Sequence, residues 1–131
     1  MMSSQPDAAR SILIVEDDEL IRRAMQMVLE WEGYPVACAV NGQEALDVLR
    51  SGPRPALIVL DVMMPVLDGQ QFRQEQLRDP SLAAIPVIVV SAADFAHAVN
   101  ADHHVRKPFE VQELLDAIRD RVGQAAPRPA G

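Results

Sequence analysis

The sequence predicts an α/β protein with a parallel five-stranded sheet that is covered by helices on both faces. Three segments are continuous apolar runs rich in β-branched residues, at residues 11–15, 56–60 and 85–90. Strands that are apolar on both faces are typical of parallel sheets buried between helices. Segments with helical spacing follow these runs, and such β-α alternation indicates right-handed crossover connections.

The remaining elements are assigned from periodicity and from the residues that interrupt it. Two shorter strands are predicted at residues 36–40 and 103–106, and residues 95–99 show at most a turn or so of helix. Asp68-Gly69 predicts a structural turn that leads into a helix. The clear helices are predicted at residues 20–31, 43–50, 70–78 and 111–122.

The first predicted helix has the spacing of an amphipathic helix. Its end is marked by Gly33, which is typical of a helix C-terminus. We expect one face of this helix to carry its apolar residues, namely Leu20, Ala24, Met27, Val28 and Trp31.

Length and composition indicate one globular domain in the cytoplasm. With 131 residues, 49% of them apolar, the chain is long enough for one core and too apolar to be disordered. It has no stretch near the ~20 apolar residues that span a bilayer, and its N-terminus lacks the order of a signal peptide. We expect a flexible leader at residues 1–10, a folded domain at residues 11–123 and a flexible tail at residues 124–131.

Charge and cysteine content exclude some classes of function. The net charge of −7 argues against direct binding of nucleic acid or of an anionic membrane. Cys38 is the single cysteine, so no internal disulfide is possible. Lys107 is the single lysine of the chain, which makes its position informative.

Polar residues gather where the predicted strands end. They are Glu16-Asp17-Asp18, Asp61, Ser91 and Lys107. Ligands of open parallel sheets bind at the carboxyl ends of the strands, so these groups are predicted to form one site. Clustered carboxylates repel each other unless they share a cation, and hard oxygen ligands suit Mg²⁺. Asp61 would then act as a nucleophile toward a phosphoryl group, with Lys107 and Ser91 binding its oxygens.

Each group also has a structural interpretation. Acidic residues after a strand often complement the dipole of the following helix, and for residues 16–18 this alternative has about an even chance. A lone aspartate at a strand end is more often structural than catalytic, and a serine there is commonly a cap. The combination is more specific than any of its parts.

Four segments resemble the receiver domain of bacterial two-component response regulators. ILIVEDDEL resembles the first strand and acidic cluster of that family, and VLDVMMPVLDG resembles its phosphoacceptor segment. VIVVSA and VRKPF resemble the hydroxyl-bearing fourth strand and the lysine-proline segment. The resemblance covers nearly all of residues 11–123.

The resemblance implies a set of roles for the site residues. Asp61 would be the phosphorylated aspartate. Glu16 and Asp17 would be the acidic pair that binds Mg²⁺, together with Asp61 and the backbone carbonyl of Met63. Asp18 would be a third, less essential acid.

The resemblance also implies the switch residues and the topology. Ser91 would be the switch hydroxyl and Lys107 the phosphate-sensing lysine, followed by a cis bond to Pro108. The sheet order would be 2-1-3-4-5, in a flavodoxin-like, doubly wound, three-layer sandwich.

Two features depart from the family pattern. Several residues are missing between Ser91 and Lys107, so the helix after the fourth strand is predicted to be shortened or missing. That helix normally belongs to the output face, which puts dimerisation and docking there in doubt. The switch aromatic is replaced by His104, and histidine changes charge near neutrality. The resulting hypothesis is weakened or pH-dependent switching, although a part-exposed histidine without a switching role is at least as plausible.

The implied function is that of a single-domain signalling switch with a phosphorylated aspartate. The phosphodonor would be a sensor histidine kinase or a histidine phosphotransfer protein, and the output would come from a separate effector, with a homodimer possible. The chain would catalyse its own phosphorylation and dephosphorylation and no other reaction. Two alternatives stay open: a Mg²⁺-dependent phosphatase or phosphotransferase using Asp61, and a receiver-like binding module independent of phosphorylation.

Overall fold

The computed structural model describes residues 10–62, 68–91 and 101–122. Within them lies a five-stranded parallel sheet with strand order β2-β1-β3-β4-β5, as predicted. The strands are β1 (Ile12–Val15), β2 (Val36–Ala39), β3 (Leu57–Asp61), β4 (Val87–Ser91) and β5 (His103–Arg106). All four pairings are parallel. The flavodoxin-like topology is therefore confirmed.

Four helices lie in the described residues and cover the two faces of the sheet. They are α1 (Glu19–Trp31), α2 (Gly42–Ser51), α3 (Gly69–Arg78) and α4 (Val111–Val122). Leu46 of α2 and Phe72 of α3 belong to one buried cluster. Leu29 of α1 and Ile118 of α4 belong to the other. Apolar burial on both faces explains why the central strands are apolar throughout.

The segment after β4 determines the shape of the fourth crossover. Residues 92–100, including the predicted helical turn at residues 95–99, lie outside the described residues, as do residues 1–9 and 123–131 of the expected leader and tail. Chain order leaves eleven residues between Ser91 and His103. The four described helices agree with a fourth crossover helix that is shortened or missing.

Strand β4 begins later than the sequence predicts. The apolar run starts at Ile85, but the ladder starts at Val87. Pro86 has no N–H to donate, and the N–H of Ile85 donates to the carbonyl of Leu82 at 3.0–3.1 Å within a turn. The turn therefore uses the first two apolar positions, and the strand runs on to include Ser91.

The predicted apolar face of α1 is wrong. Met25 and Leu29 are the buried residues of this helix, whereas Leu20, Met27 and Trp31 are 81%, 69% and 64% exposed. The helix carries apolar residues on two opposite sides, so its periodicity alone admits two orientations. The side with Met25 and Leu29 faces the sheet.

A buried polar network fixes the edge of the sheet opposite the predicted site. The guanidinium of Arg73 donates to Gln76 at 2.8 Å and lies 3.7 Å from the carboxylate of Asp102. Gln76 donates to the carbonyls of Leu82 and Ile85, both at 2.9 Å. The same Asp102 carboxylate accepts the N–H of Val87 at 2.8 Å. The network joins α3 to the starts of β4 and β5.

Candidate functional site

The sheet order brings two of the predicted acidic positions together. Strands β1 and β3 are neighbours, with Val15 in register with Leu60, so the next residues are Glu16 and Asp61. Carboxylate oxygens of Glu16, Asp17 and Asp61 lie within 4.8 Å of one another. The site therefore forms at the carboxyl edge of the sheet, beside the point where the strand order reverses.

The three consecutive acids have different surroundings. Glu16 is 1% exposed, and one of its oxygens accepts the N–H of Asp18 at 3.2 Å. Asp17 is exposed. Asp18 caps α1, because its carboxylate accepts the N–H of Ile21 at 3.1 Å. The structural interpretation thus fits Asp18, while Glu16 and Asp17 are left to face Asp61.

Lys107 reaches the acids from the loop after β5. Its ammonium nitrogen lies 3.3 Å from Oε1 of Glu16 and 3.8 Å from Oδ1 of Asp61. Its backbone N–H donates to the carbonyl of Ser91 at 2.8 Å, which ties this loop to the end of β4. The bond to Pro108 is cis.

Burial of the acids changes the proton affinity of Glu16. Desolvation, followed by a hydrogen bond to Asp61 and the charge of that group, raises the pKa of Glu16 to about 7. Lys107 acts in the opposite direction. Two close carboxylates without a cation favour sharing a proton. A divalent cation would remove that tendency, and the oxygen donors present suit Mg²⁺.

Ser91 lies at the same edge as Asp61. It is the last residue of β4 and fully buried, and Asp61 is in register with its neighbour Val90. The structure therefore brings Glu16, Asp17, Asp61, Ser91 and Lys107 to one end of the sheet.

Gly69 occupies a position with no room for a side chain. A Cβ there would lie 2.7 Å from Cα of Val62 and 2.9 Å from the carbonyl oxygen of Asp61. Its N–H donates to the carbonyl of Val62 at 3.0 Å. Asp68 caps α3 in a capping box with Gln71. Glycine thus lets the start of α3 pass against the end of β3.

Two predicted residues are not part of the described cluster. Met63 lies outside the described residues. His104 is exposed on β5, in register with Val89. Strand alternation places His104 and Arg106 on the face opposite the buried Val105.

An apolar groove beside the site was missed at the sequence level. The groove has a volume of about 600 Å³ and lies between α1 and the segment that runs from Lys107 into α4. Its walls include Ile21, Ala24, Val28, Pro108, Phe109 and Leu114. It depends on the packing of α1 beside α4, which no local pattern reports. Among the helices that the structure describes, none combines the length and apolar character needed to cross a membrane.

The fold and the site define a parallel α/β protein with an acidic, lysine-bridged cluster at the carboxyl edge of its sheet. Residues 12–119 match the family described as the response regulator receiver domain. The chain belongs to this family, whose members are signalling switches.

A curated relative and two solved structures illustrate the similarity. The response regulator MprA of Mycolicibacterium vanbaalenii is 38% identical over 122 residues, which are 88% of this chain and 52% of that protein. The signal receiver domain of a histidine kinase from Syntrophus aciditrophicus is 31% identical with a TM-score of 0.79, covering 86% of this chain and 89% of that one. The response regulator TrrA of Thermotoga maritima, in complex with Mg²⁺-BeF, is 30% identical with a TM-score of 0.74, covering 85% and 97%.

The match to the curated relatives is partial in one respect. The chain spans about half the length of the curated relatives it matches. The acidic cluster and the Mg²⁺-bound relative together suggest that this site binds Mg²⁺.

Proposed function

We propose that this domain is a phosphorylation-dependent switch that accepts a phosphoryl group on Asp61. The observation that carries the proposal is the placement of the Asp61 carboxylate. It is 6% exposed, within 4.8 Å of oxygens of Glu16 and Asp17 and 3.8 Å from the Lys107 ammonium. A carboxylate held among cation ligands and one cation is suited to attack a phosphoryl group.

The phosphodonor is a phosphohistidine on a sensor histidine kinase or a histidine phosphotransfer protein. A carboxylate oxygen of Asp61 attacks phosphorus, the bond from phosphorus to the imidazole nitrogen breaks, and an acyl phosphate forms. Lys107 neutralises one phosphoryl oxygen, and the hydroxyl of Ser91 donates to another. Positioning and charge do most of the catalytic work in such a transfer.

Mg²⁺ is the proposed cofactor. Glu16, Asp17, Asp61 and the backbone carbonyl of Met63 would hold it. When bound, the ion neutralises the carboxylates and the phosphoryl oxygens. The choice of residues follows from their oxygen donors, since Mg²⁺ prefers one or two carboxylates and keeps the rest of its shell for water and phosphate.

The apolar groove beside Lys107 is the proposed docking place for the phosphodonor. It opens next to the acidic cluster, and its walls are apolar apart from Lys107. A donor that buries an apolar helix face there would bring its phosphohistidine over Asp61.

The output and cellular setting are part of the same proposal. Phosphorylation shifts the population between two states of the loops around Ser91, and a separate effector protein binds one of them. The domain is cytoplasmic, covers residues 11–123, and has no direct contact with nucleic acid or membrane. It catalyses only its own phosphorylation and dephosphorylation.

His104 is the proposed switch side chain that follows Ser91. Because histidine changes charge near neutrality, effector binding by the phosphorylated domain should differ between about pH 6 and about pH 8. Replacing His104 with Tyr should remove that difference. Identical binding by both proteins at both pH values would end this hypothesis.

Intact-mass measurement after incubation with acetyl phosphate tests the proposed function. One added phosphoryl group is expected with Mg²⁺, and none with EDTA or in Asp61→Asn. Asp68→Asn, which keeps a capping side chain, is the matched control and should be labelled normally. Steady turnover of small phosphate esters would indicate a phosphatase instead. Effector binding unchanged by Asp61→Asn would indicate a phosphorylation-independent binding module.

A further inference from the structure

The outer face of α1 carries a continuous apolar stripe. Leu20, Met27 and Trp31 are 81%, 69% and 64% exposed, and Ala24 between them is also exposed. Single exposed apolar residues are normal, but a contiguous set on one helix face indicates an interaction surface. The stripe runs the length of a 13-residue helix, or about 20 Å.

The spacing of the stripe is that of a helix-pairing seam. Its residues are separated by steps of four, three and four, which is the alternation that coiled coils use. Read backwards from Trp31 to Leu20, the steps are the same. A two-fold axis through the middle of the helix therefore places the stripe of one copy on the stripe of another in antiparallel orientation.

We propose that α1 is a contact surface for a second copy of this chain, packed antiparallel about that axis. Leu20 of one copy then faces Trp31 of the other, and the small Ala24 faces Met27. A small residue opposite a large one lets two helices approach closely.

Charges beside the stripe favour the same partner. In this arrangement Arg23 of one copy faces Glu30 of the other, and the two-fold axis creates that pair twice. Within one copy, Arg23 contacts Glu19 at 3.1 Å, and Glu30 accepts from Gln26 at 3.3 Å. These contacts are exposed, so they exchange at little cost.

The charge balance of the helix points the same way. Its two glutamates and two arginines cancel, although the chain as a whole carries −7. Two copies meet here without the like-charge repulsion expected elsewhere on the surface. One helix pair buries less than the ~800 Å² per partner of a standard stable interface, so a weak dimer is expected.

The dimer would also cover the phosphodonor groove, a consequence that rests on the proposed function. Ala24 belongs both to the stripe and to the groove wall, and Ile21 and Val28 flank the seam. Self-association would therefore compete with transfer from a protein donor. It would leave labelling by the small donor acetyl phosphate unchanged.

Concentration-dependent fluorescence and sedimentation test the inference. Trp31 is the single tryptophan of the chain, so its emission should shift to the blue as the mass doubles, over about 10 μM to 1 mM. Arg23→Glu or Glu30→Arg alone should weaken association about tenfold or more. The double variant restores opposite charges and should return within about threefold of the original. Leu77→Gln, at an exposed apolar residue of α3, is the control and should change nothing.

Several results would overturn the inference. They are a monomer across the whole range, no effect of the single charge reversals, and no recovery in the double variant. Burial of Trp31 seen only on addition of a histidine phosphodonor would assign the stripe to that donor instead. Acetyl phosphate labelling of the same variants separates the two proposals, because loss of dimerisation with normal labelling leaves the proposed function intact.

Discussion

Lys107 lies closer to Glu16 than to the proposed phosphoacceptor. Its ammonium nitrogen is 3.3 Å from Oε1 of Glu16 and 3.8 Å from Oδ1 of Asp61. The lysine thus bridges two buried carboxylates, in a place where a bound cation would act on the same groups. We expect the lysine charge and a divalent cation to oppose each other.

Replacing Lys107 with Met should raise the affinity of the site for Mg²⁺. Removing a positive charge a few ångströms from a cation site is worth about 1 kcal/mol in a partly solvated site, or about fivefold in affinity. Calorimetric titration with Mg²⁺ measures it. Arg106→Met, which removes an exposed cation next in sequence, is the matched control. Equal or weaker Mg²⁺ binding by Lys107→Met would show that the lysine charge does not act on the site.

The metal-free protein should lose stability as the pH rises from about 5 to about 7.5. The pKa of Glu16 rises from its ordinary value of 4.5 to about 7 in the folded chain, chiefly because the carboxyl is buried. Between these values the unfolded chain releases its proton while the folded chain retains it. Rising pH therefore favours unfolding, by up to about 3 kcal/mol.

Urea unfolding in EDTA across that pH range measures this loss. Glu16→Gln, which cannot ionise, should flatten the profile, and Mg²⁺ should remove the loss in the original protein. A profile with the same slope in Glu16→Gln would show that another group is responsible.

Asp17 and Asp18 should respond oppositely to removal of their side chains. Asp17→Ala should weaken Mg²⁺ binding about tenfold or more and leave stability nearly unchanged, because this carboxylate is exposed and faces the cluster. Asp18→Ala should cost about 1 kcal/mol of stability, because it removes the N-cap of α1. Asp18→Asn keeps a capping oxygen and should recover that stability. The reverse pattern in paired titrations and urea unfolding would exchange the two roles.

Gly69→Ala should destabilise the domain by about 1–3 kcal/mol. The added Cβ would lie 2.7 Å from Cα of Val62 and 2.9 Å from the Asp61 carbonyl, and backbone atoms cannot rotate away. Gly52→Ala is the control, since its nearest contact is an ordinary 3.4 Å from the carbonyl of Val48. Thermal unfolding compares the two. A Gly69→Ala protein as stable as the control would mean that α3 can shift freely from the end of β3.

Asp102→Asn should cost about 1–2 kcal/mol of stability. Asparagine can still accept the N–H of Val87, but it removes the charge opposite Arg73, whose side chain is only 9% exposed. Asp116→Asn, which loses an exposed pair with Arg119, should change stability by less than about 0.5 kcal/mol. Equal urea midpoints for the two variants would show that Arg73 does not depend on Asp102.

The sheet and its acidic edge could be predicted because both depend on local patterns. Apolar runs give the central strands, and the residue that ends each run lies at the functional edge. The ranges 103–106 and 111–122 were predicted as they are found. Turn chemistry at Pro86 shifted the start of β4, which the apolar run alone does not show.

Features that depend on distant packing could not be predicted in this way. The orientation of α1 depends on which of two apolar sides meets the sheet, and the groove depends on α1 lying beside α4. Arg73 sits in a helix of mostly polar residues, and its burial follows from contacts with Gln76 and Asp102. No local signal marks any of these.

Localising the phosphoryl group tests the central claim most directly. After labelling with acetyl phosphate and Mg²⁺, borohydride reduces an aspartyl phosphate to homoserine, and peptide mass spectrometry then locates the changed residue. The account predicts homoserine at residue 61, with residues 16, 17 and 18 unchanged. Homoserine at another position, or a stable phosphoryl group on a hydroxyl side chain, would contradict the assignment of Asp61 as the phosphoacceptor.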